Sequence, residues 1–502
     1  MKILPADQIR EADAWTIRTE PIPSIDLMER AATACYYWLI DHLSHDHEIF
    51  VVAGTGNNGG DGFAIARLLK AKGFNVQVVL AGDPEQFSPD CRVNYERFLQ
   101  TSDCKMQTAE SWEPGSGSVI LDCIFGSGLT RPVEGGLASL IRKINGSGAM
   151  VISIDIPSGL YCDQTVMDQK DPAVVKADHT LTFSPPKLAF MFPENDVFTG
   201  NWVLLDIGIS EEFIDRAITK NFFLDPLDIS NLLRRRTKFQ HKGHFGHALL
   251  ICGGEGKMGA AVLAARACLR SGAGLTTVRV PGAGLPILQT AVPEAMAAAD
   301  PDREVFSEVP DLSPYSSIAV GPGIGTIPRT QTALKTLIQS SAIPVIFDAD
   351  ALNILSENKT WLSFIPKGSV LTPHPKEFER IAGKTKNDFE RNERQRELSY
   401  KYQSYIILKG AQTAITTPGG ECYFNSTGNP GMATGGSGDV LTGILAGLMA
   451  QGYSSLGACL TGVYLHGLAG DLALAETGPE ALIAGDIIHH LGKAFLTLYG
   501  ES

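Results

Sequence analysis

The chain has 502 residues, 44% of them hydrophobic and 19% charged, with a formal net charge of −13. That length exceeds one ordinary core and points to two or three domains, and the composition is globular rather than disordered or membrane-embedded. The acidic balance argues against nucleic acid, whose backbone is held by clustered Lys and Arg; the short basic run Arg234, Arg235, Arg236 reads as a solvated face.

Nine cysteines are scattered singly with no C-x-x-C pair, which fits neither a disulfide framework nor a zinc ribbon. A reducing cytoplasm is the expected compartment. The first twenty residues carry charges through their first turns and lack an apolar signal core, so neither export nor a membrane anchor is expected.

In chain order, runs dense in Val and Ile at 49–53, 76–80, 119–123 and 150–154 alternate with helical patterns, which predicts buried parallel strands covered by helices. A further strand is predicted at 201–207. The pattern then weakens, which puts a junction near residue 220: a first domain over 1–218, a linker over 219–230 and a second domain over 231–502. A new strand series is predicted at 247–252, 276–280, 317–320, 345–347 and 405–408, followed by a hairpin with Gly419 and Gly420 at its tip. Helices are predicted over 438–452, 456–476 and 484–500. The fold class is α/β twice over, with ligands expected at the carboxyl ends of the strands.

The first predicted strand runs into GTGNNGGDG, where Asn57, Asn58, Gly59, Gly60 and Asp61 crowd a strand-to-helix turn. Backbone amides at a helix start favour phosphate, although glycines there often serve only to close the chain. Side-chain chemistry at two further strand ends shifts the balance. DCIFGSGLTRP carries Asp122 and then Gly126, Ser127, Gly128, Leu129, Thr130, Arg131 and Pro132; IDIPSGL carries Asp155 and Ser158. A donor set of oxygens with few carboxylates suits a hard monovalent cation, and Asp155 is a candidate general acid or base.

Together, GNNGGDG, DCIFGSGL and IDIPSGL resemble the YjeF amino-terminal family of NAD(P)H-hydrate epimerases, over nearly all of the first 215 residues. The resemblance implies that the 57–61 turn, the 126–132 loop and Asp155 bind the hydrated dinucleotide. It implies potassium ligands at Asn58, Asp122 and Ser158. It also places Asp155 beside the nicotinamide ring, shuttling a proton as the hydroxyl leaves and water returns.

In the second half, NPGMATGGSGD leads into an apolar helix with Asp439 in its first turn. Helix-start amides can hold charge on a transferred phosphoryl group while a carboxylate takes the proton of the attacking hydroxyl. Four stretches belong with it: TPHPKE with His374 and Glu377, the VGPGIG turn around Gly323, DADALN with Asp348, Asp350 and Asn353, and KGAQT with Lys409, Gly410, Ala411, Gln412 and Thr413.

This set resembles the ribokinase-like superfamily, and in detail its ADP- or ATP-dependent NAD(P)H-hydrate dehydratase branch, from about residue 230 onward. Related vitamin kinases usually have Asn where this chain has His374, and the dehydratases more often have Gly at the position of Lys376. The resemblance implies hydrate binding by Gly323, His374 and Asp439 and nucleotide binding by residues 409–413 and Gly438. Just past a strand and at a helix start, Glu377 is placed to contact a magnesium ion or a water near phosphate, and the resemblance implies ADP as co-substrate. Asp439 would be the general base that lets phosphate leave in place of hydroxide. The expected fold is a Rossmann-like three-layer α/β/α domain followed by a ribokinase-like α/β domain. The expected partners are NADHX, NADPHX and ADP, with no nucleic acid and no membrane, in a homo-oligomer.

Two other readings compete. The second domain would be a kinase if its phosphorylated alcohol were stable, and the first would be a binding module if its site were idle. His241, His244 and His247 are closely spaced, but their spacing into a strand does not aim three rings at one point, so a metal site is not expected there. Cys123 and Cys252 are expected to pack as small apolar residues.

Overall fold

A computed structural model describes residues 1–500. The chain divides into two compact units: the first holds Lys2–Thr219 with Asn387–Phe389, and the second holds Met1, Lys220–Lys386 and the chain from Glu390 onward.

The first unit is built on strands β1 Glu48–Ala53, β2 Asn75–Leu80, β3 Met106–Thr108, β4 Val119–Cys123, β5 Met150–Ile154, β6 His179–Phe183 and β7 Asn201–Leu205. All neighbours pair in parallel, in the order β3-β2-β1-β4-β5-β6-β7. Side chains along a strand alternate between its faces. Val51 and Leu121 therefore join one buried cluster while Phe50, Val52 and Ile120 join another, so both faces need covering helices. Chain order reverses between β1 and β4, and in open parallel sheets the crevice at that reversal is where ligands sit.

The second unit contains β8 Asn221–Phe223, β9 His247–Ile251, β10 Leu275–Val280, β11 Met296–Ala299, β12 Ser317–Val320, β13 Val345–Phe347, β14 Val370–Leu371, β15 Tyr405–Leu408, β16 Ala414–Thr416 and β17 Cys422–Phe424. Their order is β11-β10-β9-β12-β13-β14-β15-β16-β17-β8. Pairing is parallel from β11 to β15 and antiparallel through the hairpin β16 and β17, whose Gly420 takes φ +88° at the tip. Residues 219–230, read from the sequence as a linker, carry β8, paired with β17, and the short helix Pro226–Ser230.

The strands missed by periodicity are β3, β6, β8, β11 and β14. Four are two to four residues long. The fifth, β6, buries Thr180 and Thr182, so it lacks a run of apolar residues. The predicted strand at 201–207 stops at Leu205, because Asp206 turns the chain by accepting the Gly208 N–H at 2.8 Å.

Three helices of the second unit, Ser437–Ala450, Ser455–Thr477 and Ala484–Tyr499, bury apolar residues in one cluster with the strands. Ser455–Thr477 is long and apolar enough to cross a membrane by length and composition, yet two thirds of its apolar stretch is buried, as expected of a core helix. Helix Ser437–Ala450 lies against helix Met258–Arg270 so closely that a Cβ at Gly443 would stand 2.2 Å from the Ala264 carbonyl oxygen, and one at Gly447 2.6 Å from that of Cys268. That close contact fixes the helix that carries Asp439.

Candidate active sites

In the first unit, the turn after β1 is held by backbone crowding. A Cβ at Gly54 would lie 2.1 Å from the Ile124 carbonyl oxygen, and one at Gly59 2.0 Å from that of Gly54. These glycines permit the packing of the turn against the β4 strand end. The side chains around them provide the chemistry, lining a cleft of about 740 Å³ that contains Asn57, Asn58, Asp61, Gly126, Ser127, Gly128, Leu129, Thr130, Arg131 and Asp155. Gly59 and Gly60 are buried in the first turn of helix Asn57–Ala71, and Pro132 is not among the lining residues.

Beneath the cleft, Asp122 is fully buried. One carboxylate oxygen accepts from Ser153 Oγ and Ser158 N, both at 2.8 Å, and the other from Ser158 Oγ at 2.6 Å and Ile124 N at 3.3 Å. Burial raises the Asp122 pKa, and these hydrogen bonds oppose the rise. Ser158 Oγ also accepts from Phe125 N at 2.9 Å, which ties the start of the 126–132 loop to the same cluster. Asn58 donates to the Ile154 carbonyl at 2.8 Å, and its buried Oδ1 has no hydrogen-bond partner.

Asp155 follows β5 with φ +68°, a strained conformation for a residue other than glycine. Its backbone N–H donates to Leu181 O of β6. Its carboxylate lies 2.6 Å from Lys187 Nζ and accepts from Ser127 N at 3.3 Å. Lys187, 1% exposed, also donates to Phe183 O at 2.7 Å. Two further carboxylates face the cleft. Asp13 has its pKa raised to about 6, first by burial and then by Asp155, with Lys187 opposing. Asp61 is pushed well up, chiefly by burial and then by Asp155 and Asp13.

Sequence reasoning missed Lys187 and Asp13. Lys187 lies just beyond the unrecognised strand β6. Asp13 stands four residues after Ile9 on helix Ala6–Thr19, whose buried positions are Ile9, Ala12 and Thr16. An acid beside a buried stripe was the available signal.

In the second unit, Gly436 takes a left-handed φ of +93° and launches helix Ser437–Ala450 with Asp439 in its first turn. Burial, followed by repulsion from Asp348, raises the Asp439 pKa to about 6, against the pull of Lys409. Lys409 Nζ lies 3.0 Å from Asp348 Oδ1 and 4.0 Å from Glu377 Oε2. Burial works against the Lys409 charge, but the carboxylates of Asp348 and Glu377 outweigh it and raise the pKa. Thr442 Oγ1 donates to the other Asp348 oxygen at 2.7 Å. A Cβ at Gly438 would lie 3.4 Å from Lys409 Nζ, so the Gly-rich loop and KGAQT meet at this ion pair.

His374 caps helix Pro375–Ala382. Its Nδ1 accepts from Lys376 N at 3.1 Å and Glu377 N at 3.4 Å, while Glu377 Oε2 accepts from His374 N at 2.9 Å. Burial lowers the His374 pKa, and an accepting Nδ1 leaves the proton on Nε2. Gly323 takes φ +71° beside the Lys257 side chain. Asp350 ties that turn by accepting from Gly325 N at 2.8 Å and pairing with Lys257 at 3.3 Å. In the 409–413 loop, Gly410 and Thr413 are joined by two hydrogen bonds, Ala411 is exposed, and Gln412 Oε1 is buried without a hydrogen-bond partner. Sequence reasoning did not find His466, whose Nε2 lies 3.0 Å from Ser437 O; burial pushes its pKa down to about 4.

His241, His244 and His247 are occupied locally. Nδ1 of His241 accepts from Gly243 N, Nδ1 of His244 accepts from His241 N, and Nε2 of His247 lies 2.8 Å from Thr277 Oγ1. Among the described residues no three His, Cys, Asp or Glu side chains gather as a metal site, and all nine cysteines are free.

The model of the NAD(P)H-hydrate dehydratase family matches residues 248–492, and that of the YjeF-related protein N-terminus matches residues 24–189. Curated relatives align end to end. The bifunctional NAD(P)H-hydrate repair enzyme of Moorella thermoacetica is 34% identical over 100% of this chain and 98% of its own length. That of Coxiella burnetii is 35% identical over 96% and 97%, and that of Escherichia coli 30% over 97% and 93%. Among solved structures, a ribokinase-like superfamily protein of Enterococcus faecalis is 30% identical with a TM-score of 0.50, covering 57% of this chain and 99% of that one. The chain belongs to the family of bifunctional NAD(P)H-hydrate repair enzymes.

Proposed function

We propose that the chain restores hydrated nicotinamide dinucleotides in two steps, interconverting the R and S hydrates at the first site and dehydrating the S form at the second with ADP as phosphoryl donor. The observation that carries this reading is the presence of two separate strand-end sites, one in each unit, in a chain related along its whole length to bifunctional repair enzymes.

At the first site, the 57–61 turn and the 126–132 loop hold the dinucleotide, and Asp155 exchanges a proton with the hydroxyl at ring carbon C6. The orphaned Asn58 Oδ1, the Asp122 carboxylate and the Ser158 hydroxyl form an oxygen-only set with a single formal charge, which fits a potassium ion. Bound there, potassium supplies positive charge to a phosphate-bearing ligand.

At the second site, Gly323 and His374 position the hydrate, with His374 offering its Nε2 proton. Asp439 takes the proton of the C6 hydroxyl as that oxygen attacks the phosphoryl group. Lys409, Gly438 and the loop through Gly410, Ala411, Gln412 and Thr413 receive the nucleotide phosphates with one ammonium and several backbone amides. Phosphate then departs as the ring nitrogen donates its electron pair to form an N=C6 cation. Loss of a proton from C5 to solvent makes the C5=C6 double bond and returns the pair to nitrogen, which regenerates the dihydronicotinamide. Magnesium supplies charge neutralisation for the phosphates; with no three-acid cluster among the described residues, such an ion is held mainly by phosphate and water, and Glu377 acts on it indirectly.

The test is to incubate the protein with mixed hydrate epimers and either ADP or ATP while following absorbance of the dihydronicotinamide. Complete conversion with release of free phosphate is expected, faster with ADP. A plateau at the S fraction removes the epimerase reading. Accumulation of a stable phosphorylated hydrate makes the second unit a kinase.

A further inference from the structure

An inversion at C6 requires the hydroxyl to leave from one face of the ring and water to enter from the other. Asp155 is poorly suited to serve both faces. Its backbone is fixed at φ +68°, one carboxylate oxygen is ion-paired with Lys187 Nζ at 2.6 Å without a directed hydrogen bond, and the other receives Ser127 N at 3.3 Å. A carboxylate held in a buried ion pair has little room to swing around a substrate.

The cleft is lined by several elements. The strand-end turns carry Asn58, Gly126 and Asp155, and helix Ser24–His42 adds Leu27, Met28 and Ala31. One face of helix Ala6–Thr19 forms a further wall, which presents Ile9, Arg10, Asp13 and Ile17 to the same space. Asp13 is the acidic side chain on that helical wall. The other charged groups lining the cleft are Arg10, Asp61, Asp90, Arg131, Asp155 and Lys187. Of the two remaining acids, Asp61 sits on the same strand-end turn as Asn58, and Asp90 lies in the first turn of helix Pro89–Leu99 with Ser24 Oγ bonded to its carboxylate at 2.6 Å.

We propose that Asp13 is a second catalytic carboxylate of the epimerisation, serving the face of the nicotinamide ring opposite the one served by Asp155. The proposal rests on the epimerase reading of this cleft. In one direction, the Asp13 carboxylic acid gives its proton to the C6 hydroxyl, the C6–O bond breaks with its electron pair, and water departs. The ring nitrogen lone pair forms the N=C6 double bond of a planar cation. A water oxygen then bonds to C6 from the other face, the double-bond pair returns to nitrogen, and the surplus water proton passes to the Asp155 carboxylate. The reverse direction runs from protonated Asp155 to ionised Asp13, and solvent restores the proton distribution between turnovers. The ion pair with Lys187 suits Asp155 to the acceptor part, and burial, which favours a proton on Asp13, suits Asp13 to the donor part.

The test uses the full chain without nucleotide, with separated epimers in oxygen-18 water, and follows both interconversion and isotope entry at C6 above the enzyme-free rates. Asp13→Asn is expected to slow interconversion at least about 100-fold, the usual effect of losing a general acid or base. One epimer should still incorporate oxygen-18 with retained configuration, because the face served by Asp155 keeps its carboxylate. Asp155→Asn should leave the opposite epimer exchanging, and the double variant should abolish exchange in both. Thermal unfolding of the first unit reports that each variant is folded, and conversion of pure S hydrate with ADP by the second unit should stay at the wild-type rate. Interconversion by Asp13→Asn within about threefold of wild type, or loss of exchange from both epimers in that variant, overturns the proposal. Failure of the wild-type protein to interconvert the epimers would instead overturn the epimerase reading itself.

Discussion

Lys187 Nζ lies 2.6 Å from Asp155 Oδ1 with the lysine 1% exposed, so the first site is organised around a buried ion pair. Removing one member of such a pair leaves the other desolvated and unpaired, which costs more than the pair contributes. Lys187→Met should destabilise the protein by about 3 kcal/mol and abolish epimerisation. The double variant with Asp155→Asn should recover part of that loss, a coupling that urea titration of the four proteins measures.

Asp439 predicts opposite effects on activity and stability. Its pKa is about 6 in the folded chain against an ordinary 3.8. A raised carboxylate pKa means that the folded state gains nothing from this group above pH 6, because its stabilising contribution is full below pH 3.8 and lost as pH rises through 6. Asp439→Asn removes the buried charge and should stabilise the second unit at pH 8 by on the order of 2 kcal/mol. It should also lower dehydration at least about 100-fold. In the wild type, dehydration should rise roughly tenfold per pH unit below 6 and level off above it. A flat rate profile between pH 5 and 7 would separate Asp439 from the base.

Legibility in the sequence followed local chemistry. Strands such as β1, β4 and β9 were visible because four or five successive residues are buried, and the β16 to β17 hairpin because two glycines sit at its tip. The strand β6 hides behind Thr180 and Thr182, which are buried polar groups; Thr180 Oγ1 donates to Thr199 O at 2.7 Å. Missing β6 also hid Lys187, whose importance comes from a strand end four residues earlier. Asp13 belongs to no motif, and its relation to Asp155 arises only when helix and sheet assemble. By contrast, Asn58, Asp122, Asp155 and Ser158 were legible because three strand ends adjacent in the sheet carry them.

Packing around the second site offers a steric test. A Cβ at Gly443 would stand 2.2 Å from Ala264 O, which is backbone and has no room to yield. Gly443→Ala should therefore destabilise the second unit by roughly 2 kcal/mol and reduce dehydration, while epimerisation by the first unit persists. Thermal unfolding followed with both assays checks this.

For the oxygen cluster at Asn58, Asp122 and Ser158, replacing sodium by potassium should raise the melting temperature of the wild type, since a ligand that binds only the folded state stabilises it. Asn58→Leu, which deletes the orphaned Oδ1, should remove that response. An equal response in the variant would place any potassium effect elsewhere.

The most direct measurement compares Asp155→Asn and Asp439→Asn, alone and mixed, on both hydrate epimers with ADP. Asp155→Asn should stop once the S epimer is consumed, and Asp439→Asn should interconvert epimers without forming dihydronicotinamide. The mixture should run to completion, because each variant supplies the site the other lacks. Completion by Asp155→Asn alone at the wild-type rate, or failure of the mixture to complete, would contradict two independent sites in one chain.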